Sequence, residues 1–312
     1  MRSLLFVLAV LVVVEVGVRA VESRLSVDIE HIQEMPRIVS DLLGASEAEN
    51  EPSLLFLGNS LTRRGVDLET FEERLGEEGV DELRMAAIYP DGTSVLDWLF
   101  LYRTNVAGAK GVPDVVVINF GFWHLEDRPV TRAQAYRLGR YYTNWPDLSE
   151  LFREDVRDLS DRIDVVLSKL SAVFANRERI SQRILSFVPY YQQSARQIND
   201  MIEDAGDQAE GAVAEKGYLR LVRLIEEIEG SGSELVFMAI PTRDGYSLDP
   251  RVAEIAEAQG ADFIDARQVP GLTAEQFEDN LHLDPSTGAK LYSEYAAGLL
   301  APVLAGLLSG GD

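Results

Sequence analysis

The three residue types that make up an activated nucleophile stand in two short stretches of this 312-residue chain. The first is Leu54-Leu-Phe-Leu-Gly-Asn-Ser60-Leu-Thr62, an apolar run that stops at Gly58 and delivers a hydroxyl two residues later. The second, Asp279-Asn-Leu-His282, spaces a carboxylate and an imidazole three residues apart. A serine attacks when a base takes its proton, and a carboxylate on the far ring nitrogen holds that base in the useful tautomer. Ser60 is thus a candidate nucleophile, His282 its proton relay and Asp279 the orienting group. Each also has an ordinary use, since a serine after a strand commonly caps a helix. It is the joint occurrence that points to an activated serine nucleophile.

These residues need a scaffold that brings position 60 to position 282. After a polar stretch with Pro36 and Pro52, continuous apolar runs at Leu54–Leu57, Leu83–Ile88, Val115–Phe120, Leu235–Ile240 and Phe263–Ala266 read as strands. Helical spacing separates them, at Asp67 to Glu78 and at Ser94 to Val106 with Ser94 as N-cap. A long amphipathic helix closes the chain from Pro285 to Leu308, with proline in its first turn. Strands that alternate with helices and are apolar on both faces predict a parallel α/β sheet covered on both sides. Ligands bind such sheets beyond the carboxyl ends of the strands. Ser60 follows its strand by one Gly-Asn step and is expected at that rim. Free N–H groups of a helix start beside it would face a developing oxyanion.

From about Arg128 to Gly206 the pattern changes. Val156, Leu159, Ile163, Val166, Leu167, Leu170, Val173 and Phe174 recur at three- and four-residue spacing, and Ile180, Ile184 and Phe187 continue it. The segment is too long for a crossover and too periodic for a loop, so it reads as inserted helical hairpins. It is either a passive elaboration or a lid or docking surface. Tyr190 and Tyr191 are either packing aromatics or substrate contacts.

Composition narrows the function classes. Cysteine is absent, which removes disulfides, thiol nucleophiles and thiolate metal sites. The formal charge is −23, a field that repels nucleic acid and anionic membrane surfaces and suits a solvated acidic exterior. The spacings of His31, His124 and His282 match no ligand motif, so no metal and no cofactor is expected. Leu4 to Val14 is almost unbroken apolar sequence behind Arg2, as in an export signal. Val18-Arg-Ala20 offers small residues for cleavage. Against cleavage, Glu15 and Arg19 lie four apart on one helix face and can pair, extending the apolar helix to about Val21. The expectation is an exported protein held in the membrane by this helix.

Gly58-Asn-Ser60-Leu after the first strand and Asp279-x-x-His282 before the last helix resemble the first and last blocks of the SGNH (GDSL-type) hydrolases. The resemblance covers about 53–127 and 233–308, and the small members have no counterpart of the insertion. It implies a three-layer, flavodoxin-like fold, a Ser-His-Asp triad and ester chemistry. It also implies oxyanion donors from two middle blocks. Gly92, in Tyr89-Pro-Asp-Gly-Thr93, fits the first of these, beside the Ser60 amide. The second block departs: Trp123 and His124 stand where the family has asparagine and aspartate, so its task is lost or passes to Asn119 or the Trp123 indole. Asn59 likewise replaces the usual aspartate of the first block. The Gly-x-Trp pattern is similar to that of SGNH-like polysaccharide O-acetyltransferases and esterases.

The expected layout is a signal anchor or signal peptide at 1–25, an α/β domain at 26–127 and 230–312, and a helical insertion at 128–229. The expected function is O-acyl transfer to, or removal from, a cell-envelope or exported glycan, with an acylated glycan or small ester as substrate. A membrane protein that passes on acyl groups would be a fitting partner. Trp123, His124 and Arg243, the last in the loop after the fourth strand, are candidate substrate contacts; His124 and Arg243 also have ordinary structural readings. The rival expectation is a catalytically silent protein that binds a glycan or a partner on the same scaffold.

Overall fold

The structure is a computed structural model that describes residues 2–49, 51–109, 111–185, 187 and 216–309. Tyr190 and Tyr191 lie outside the described residues. The chain divides into two compact units, one of residues 31–127 and 218–312, the other of residues 1–30 and 128–217.

The first unit is a five-stranded, all-parallel sheet in the order β2-β1-β3-β4-β5. Its strands are β1 (Ser53–Leu57), β2 (Arg84–Ile88), β3 (Val115–Phe120), β4 (Glu234–Ala239) and β5 (Asp262–Asp265). β1, β3 and most of β4 are buried residue after residue, which is why they read as unbroken apolar runs. Register runs from Leu54 opposite Val115 to Leu57 opposite Ile118, and from Val115 opposite Glu234 to Phe120 opposite Ala239. This is the flavodoxin-like order, and strand order reverses between β1 and β3. The crevice beyond the strand ends opens at that reversal.

In chain order the helices are α1 (Arg2–Val21), α2 (Val27–Glu49), α3 (Ser60–Gly65), α4 (Leu68–Glu77) and α5 (Val95–Asn105). After β3 come α6 (Arg132–Arg137), α7 (Leu148–Glu154), α8 (Leu159–Leu170), α9 (Ala172–Ala175) and α10 (Arg177–Leu185). The last three are α11 (Leu219–Gly230), α12 (Pro250–Gln259) and α13 (Gly288–Ser309). Tyr292, Ala296, Leu300 and Leu304 of α13 pack with Phe71 and Leu75 of α4 and with β1, so this apolar helix is core.

Three elements differ from the sequence expectation. The stretch around Pro36, read as polar sequence ahead of the alternating elements, is the interior of α2. Ile32, Met35, Val39 and Leu42 form a buried stripe that carries the helix through the proline. α11, expected inside the insertion, belongs to the α/β unit, where Leu221, Leu224, Ile225 and Ile228 are buried. The last helix starts at Gly288, not Pro285. The Asp284 carboxylate accepts from the Ser286 amide and from the Ser286 and Thr287 hydroxyls, which holds that turn outside the helix.

The second unit joins the N-terminal helix to the insertion. α1 is long and apolar enough to cross a membrane or to serve as an export signal, and none of its apolar window is buried. Beyond it, Glu22 is almost fully buried. It accepts two bonds from Arg140 at 2.9 and 2.5 Å, one from the Tyr141 hydroxyl at 2.9 Å and one from Asn176 Nδ2 at 2.7 Å. Arg137 and Arg179 pair with Asp28 nearby in sequence. A π-helical turn at Leu138–Tyr142 packs so closely on α8 that a Cβ at Gly139 would stand 2.3 Å from the Val165 carbonyl oxygen.

Candidate active site

The turn after β1 is built around a close approach. A Cβ at Gly58 would lie 1.8 Å from Thr62 Oγ1 and 3.0 Å from the Asn119 carbonyl oxygen, so only glycine fits without displacement. The Gly58 carbonyl accepts from Trp98 Nε1 at 3.0 Å and from Thr93 Oγ1 at 3.1 Å. Asn59 caps α3: its Oδ1 accepts from the Leu61 amide at 2.9 Å, and its Nδ2 donates to the Thr93 carbonyl at 2.9 Å. Ser60 is the first residue of α3, at the carboxyl end of β1 and beside the strand-order reversal.

His282 reaches Ser60 from a loop held at both ends. Glu278 N–H donates to the His282 carbonyl and Asp284 N–H to the Gln276 carbonyl, both at 2.9 Å, with Phe277 bridged to the buried Leu283. Arg64 of α3 pairs with Glu278 at 3.3 Å, and the Arg243 amide donates to the Asn280 carbonyl at 3.2 Å. In this frame His282 Nε2 lies 2.9 Å from Ser60 Oγ, and His282 Nδ1 lies 2.8 Å from Asp279 Oδ2. The other Asp279 oxygen accepts from the Leu281 and His282 amides at 2.7 Å each. Burial would raise the Asp279 carboxyl, but the bonds from His282 and these two amides outweigh it and hold the group below its usual range. An ionised Asp279 places the ring proton on Nδ1 and leaves Nε2 as acceptor for the Ser60 hydroxyl.

The remaining sequence candidates separate. Gly92 sits exposed in the β2–α5 turn with φ of +62°, a conformation that favours glycine. Asn119 is turned the other way. It is fully buried in β3 and its Nδ2 donates to the Tyr292 hydroxyl at 3.3 Å, so its amide is not presented at the rim as expected. Trp123 is 39% exposed at the end of β3. His124 stands beside the Ser60 turn, with Nε2 3.3 Å from Asn59 Nδ2 and Nδ1 accepting from the Gly121 amide at 3.2 Å. The Arg243 side chain is half-exposed and pairs with Asp244 at 3.7 Å, while its amide ties the two loops together.

Sequence reasoning missed the support of the site. Thr93 and Trp98 fix the Gly58 carbonyl. Tyr246 stacks on Phe122, with ring centroids 4.7 Å apart, and donates its hydroxyl to the Ile240 carbonyl at 3.0 Å. Phe122 itself takes the left-handed φ of +51° that sets the turn bearing Trp123 and His124. The only available signal was Thr93 next to Gly92; Trp98 and Tyr246 read as ordinary aromatics.

No protein-family model matches the chain, and no curated protein matches it. Among solved structures it is similar to TesA, at 14% identity, over 82% of this chain and 99% of that one, with a TM-score of 0.38. The fold assignment rests on the strand order and register described above.

Proposed function

We propose that the protein carries out serine-dependent acyl-ester chemistry. The observation that carries this reading is the continuous hydrogen-bonded line from Asp279 through His282 to Ser60 at the carboxyl edge of a parallel sheet. His282 Nε2 takes the Ser60 proton as Oγ bonds to the acyl carbon, and the carbonyl π pair moves onto its oxygen. The Ser60 and Gly92 amides are the donors assigned to that oxyanion. Collapse breaks the ester C–O bond, and the His282 proton passes to the leaving alkoxide. The acyl-serine then passes its acyl group to water or to a sugar hydroxyl, deprotonated by His282 in turn. Trp123 and His124 are assigned to substrate binding, with Arg243 at the outer rim.

The substrate class we infer is an acylated glycan of the cell envelope or an exported polysaccharide, with O-acetyl as the group moved. Support comes from α1, which suits export, and from its place in the fold. Glu15 accepts from the Ser171 hydroxyl and from the Ala172 and Val173 amides, so α1 is bonded into the insertion unit. This favours retention of α1 as an anchor over its removal. An integral membrane protein that supplies acyl groups is the fitting partner.

Fluorophosphonate labelling tests the nucleophile. Labelling of the wild-type chain and none of Ser60→Ala is expected; equal labelling of both, or none of either when folded, leaves the silent binding protein as the reading. Acetate release from an aryl acetate, with and without a glycan acceptor, separates hydrolase from transferase.

A further inference from the structure

The most regular amphipathic helix of the insertion turns its apolar side outward. α8 buries Asp164, Val165 and Ser168, whereas Leu159, Ile163, Leu167 and Leu170 are 70, 49, 39 and 55% exposed. These four recur along one line of the helix, so they form a stripe rather than scattered exposure. The end of the stripe is tied to α1. The Leu170 carbonyl accepts from Arg19 Nη2 at 2.6 Å, and the next three residues donate to Glu15 at 2.7, 2.8 and 3.3 Å. The α8–α9 junction is therefore bonded to one level of α1.

That level can be placed by length. Ser3 to Val14 spans only about 18 Å of helix, against about 30 Å of bilayer hydrocarbon. A crossing α1 must use Glu15–Val21 as well, which puts the hydrocarbon boundary near Val21, with Arg19 about 3 Å and Glu15 about 9 Å inside it, so the junction bonded to them sits in the boundary layer. Charge agrees. Residues 1–30 and 128–217 hold 16 basic against 18 acidic residues, so this unit lacks the acid excess that would repel a lipid surface. We propose that α8 is a second membrane-contacting element, laying Leu159, Ile163, Leu167 and Leu170 into the lipid boundary where α1 ends. The proposal rests on the reading of α1 as a retained membrane helix and extends it from a tether to a surface that fixes the unit against the bilayer.

Because the chain has no cysteine, single cysteines give unique labelling sites. The test uses the full chain in phosphatidylethanolamine–phosphatidylglycerol vesicles, with Leu8→Cys, Ile163→Cys, Leu167→Cys or Glu257→Cys each carrying an environment-sensitive nitrobenzoxadiazole, and a nitroxide lipid as quencher. All four positions are exposed, so the fold should tolerate them. The expected result is quenching at 163 and 167 about threefold or more above that at 257, with 8 also strongly quenched. Quenching at 8 alone overturns the proposal and leaves the anchor standing. No quenching at 8, 163 or 167 overturns both. Shielding of Ile163→Cys from alkylation in native membranes, without quenching in lipid vesicles, assigns the stripe to a protein partner and overturns the lipid assignment.

Discussion

The two units distribute charge in opposite ways. The α/β unit holds 13 basic and 34 acidic residues, nearly the whole acid excess of the chain, whereas the helical unit is close to neutral. In the α/β unit the apolar residues are inside, and Ser60, His282 and Asp279 are hydrogen-bonded together at the rim of the sheet. In the helical unit a carboxylate is inside, Glu22 on Arg140, Tyr141 and Asn176, while α1 and the α8 stripe are outside. The acidic field expected to repel membranes is therefore a property of one unit, not of the chain. The lesson is that a net charge read over 312 residues averages two units of very different charge.

The sharpest way to break this contrast is to remove the proposed nucleophile at the rim and leave everything else. Ser60→Ala should lower ester turnover by about 10⁴-fold or more, with thermal unfolding unchanged. Asp279→Asn should cost about 10³-fold in kcat, because the imidazole then loses its preferred tautomer. It should also act on the acid limb of stability. The Asp279 carboxyl is held below its unfolded value, so its stabilisation is present above about pH 4 and is lost as pH falls through the folded value. The wild type should thus lose stability below pH 4 more steeply than the variant in acid titrations followed by circular dichroism.

On the helical side, Glu22→Ala leaves Arg140 buried without its partner and should cost about 3 kcal/mol in denaturant unfolding of that unit. Fluorophosphonate labelling of Ser60 should persist, and its loss would mean that the two units do not separate as described. Gly58→Ala forces a methyl against Thr62 and should cost about 2 kcal/mol, with kcat falling because Ser60 moves with the turn. The smallest effect expected is for Asn59→Ala, about 1 kcal/mol from the lost cap of α3, measured as a shift in the unfolding midpoint.

The sheet was legible in the sequence. Every strand lies within about one residue of its expected range, because a parallel strand buried on both faces leaves an unbroken apolar run. β-branched Val115, Val116, Val117 and Ile118 gave the clearest case. Elements with local competition were less legible. Pro36 hid α2, whose stripe of Ile32, Met35, Val39 and Leu42 is buried only in the folded chain. The Asp284 side chain moved the start of α13 by three residues, since a carboxylate can take up amides that a helix would use.

At the site, residue types and order announced Ser60, Asp279 and His282, and the local Asp-x-x-His spacing already suits a bond between neighbours. What sequence alone determined was which side chains could form the site and the strand ends that would carry them. Tertiary structure decided whether Oγ and Nε2 meet across 222 residues, because that distance depends on the loop bonds from Arg64 and Arg243. It also decided that Asn119 turns inward to Tyr292, and that the apolar stripe of α8 faces out. Periodicity gives a helix its two faces, but only packing chooses which of them is buried.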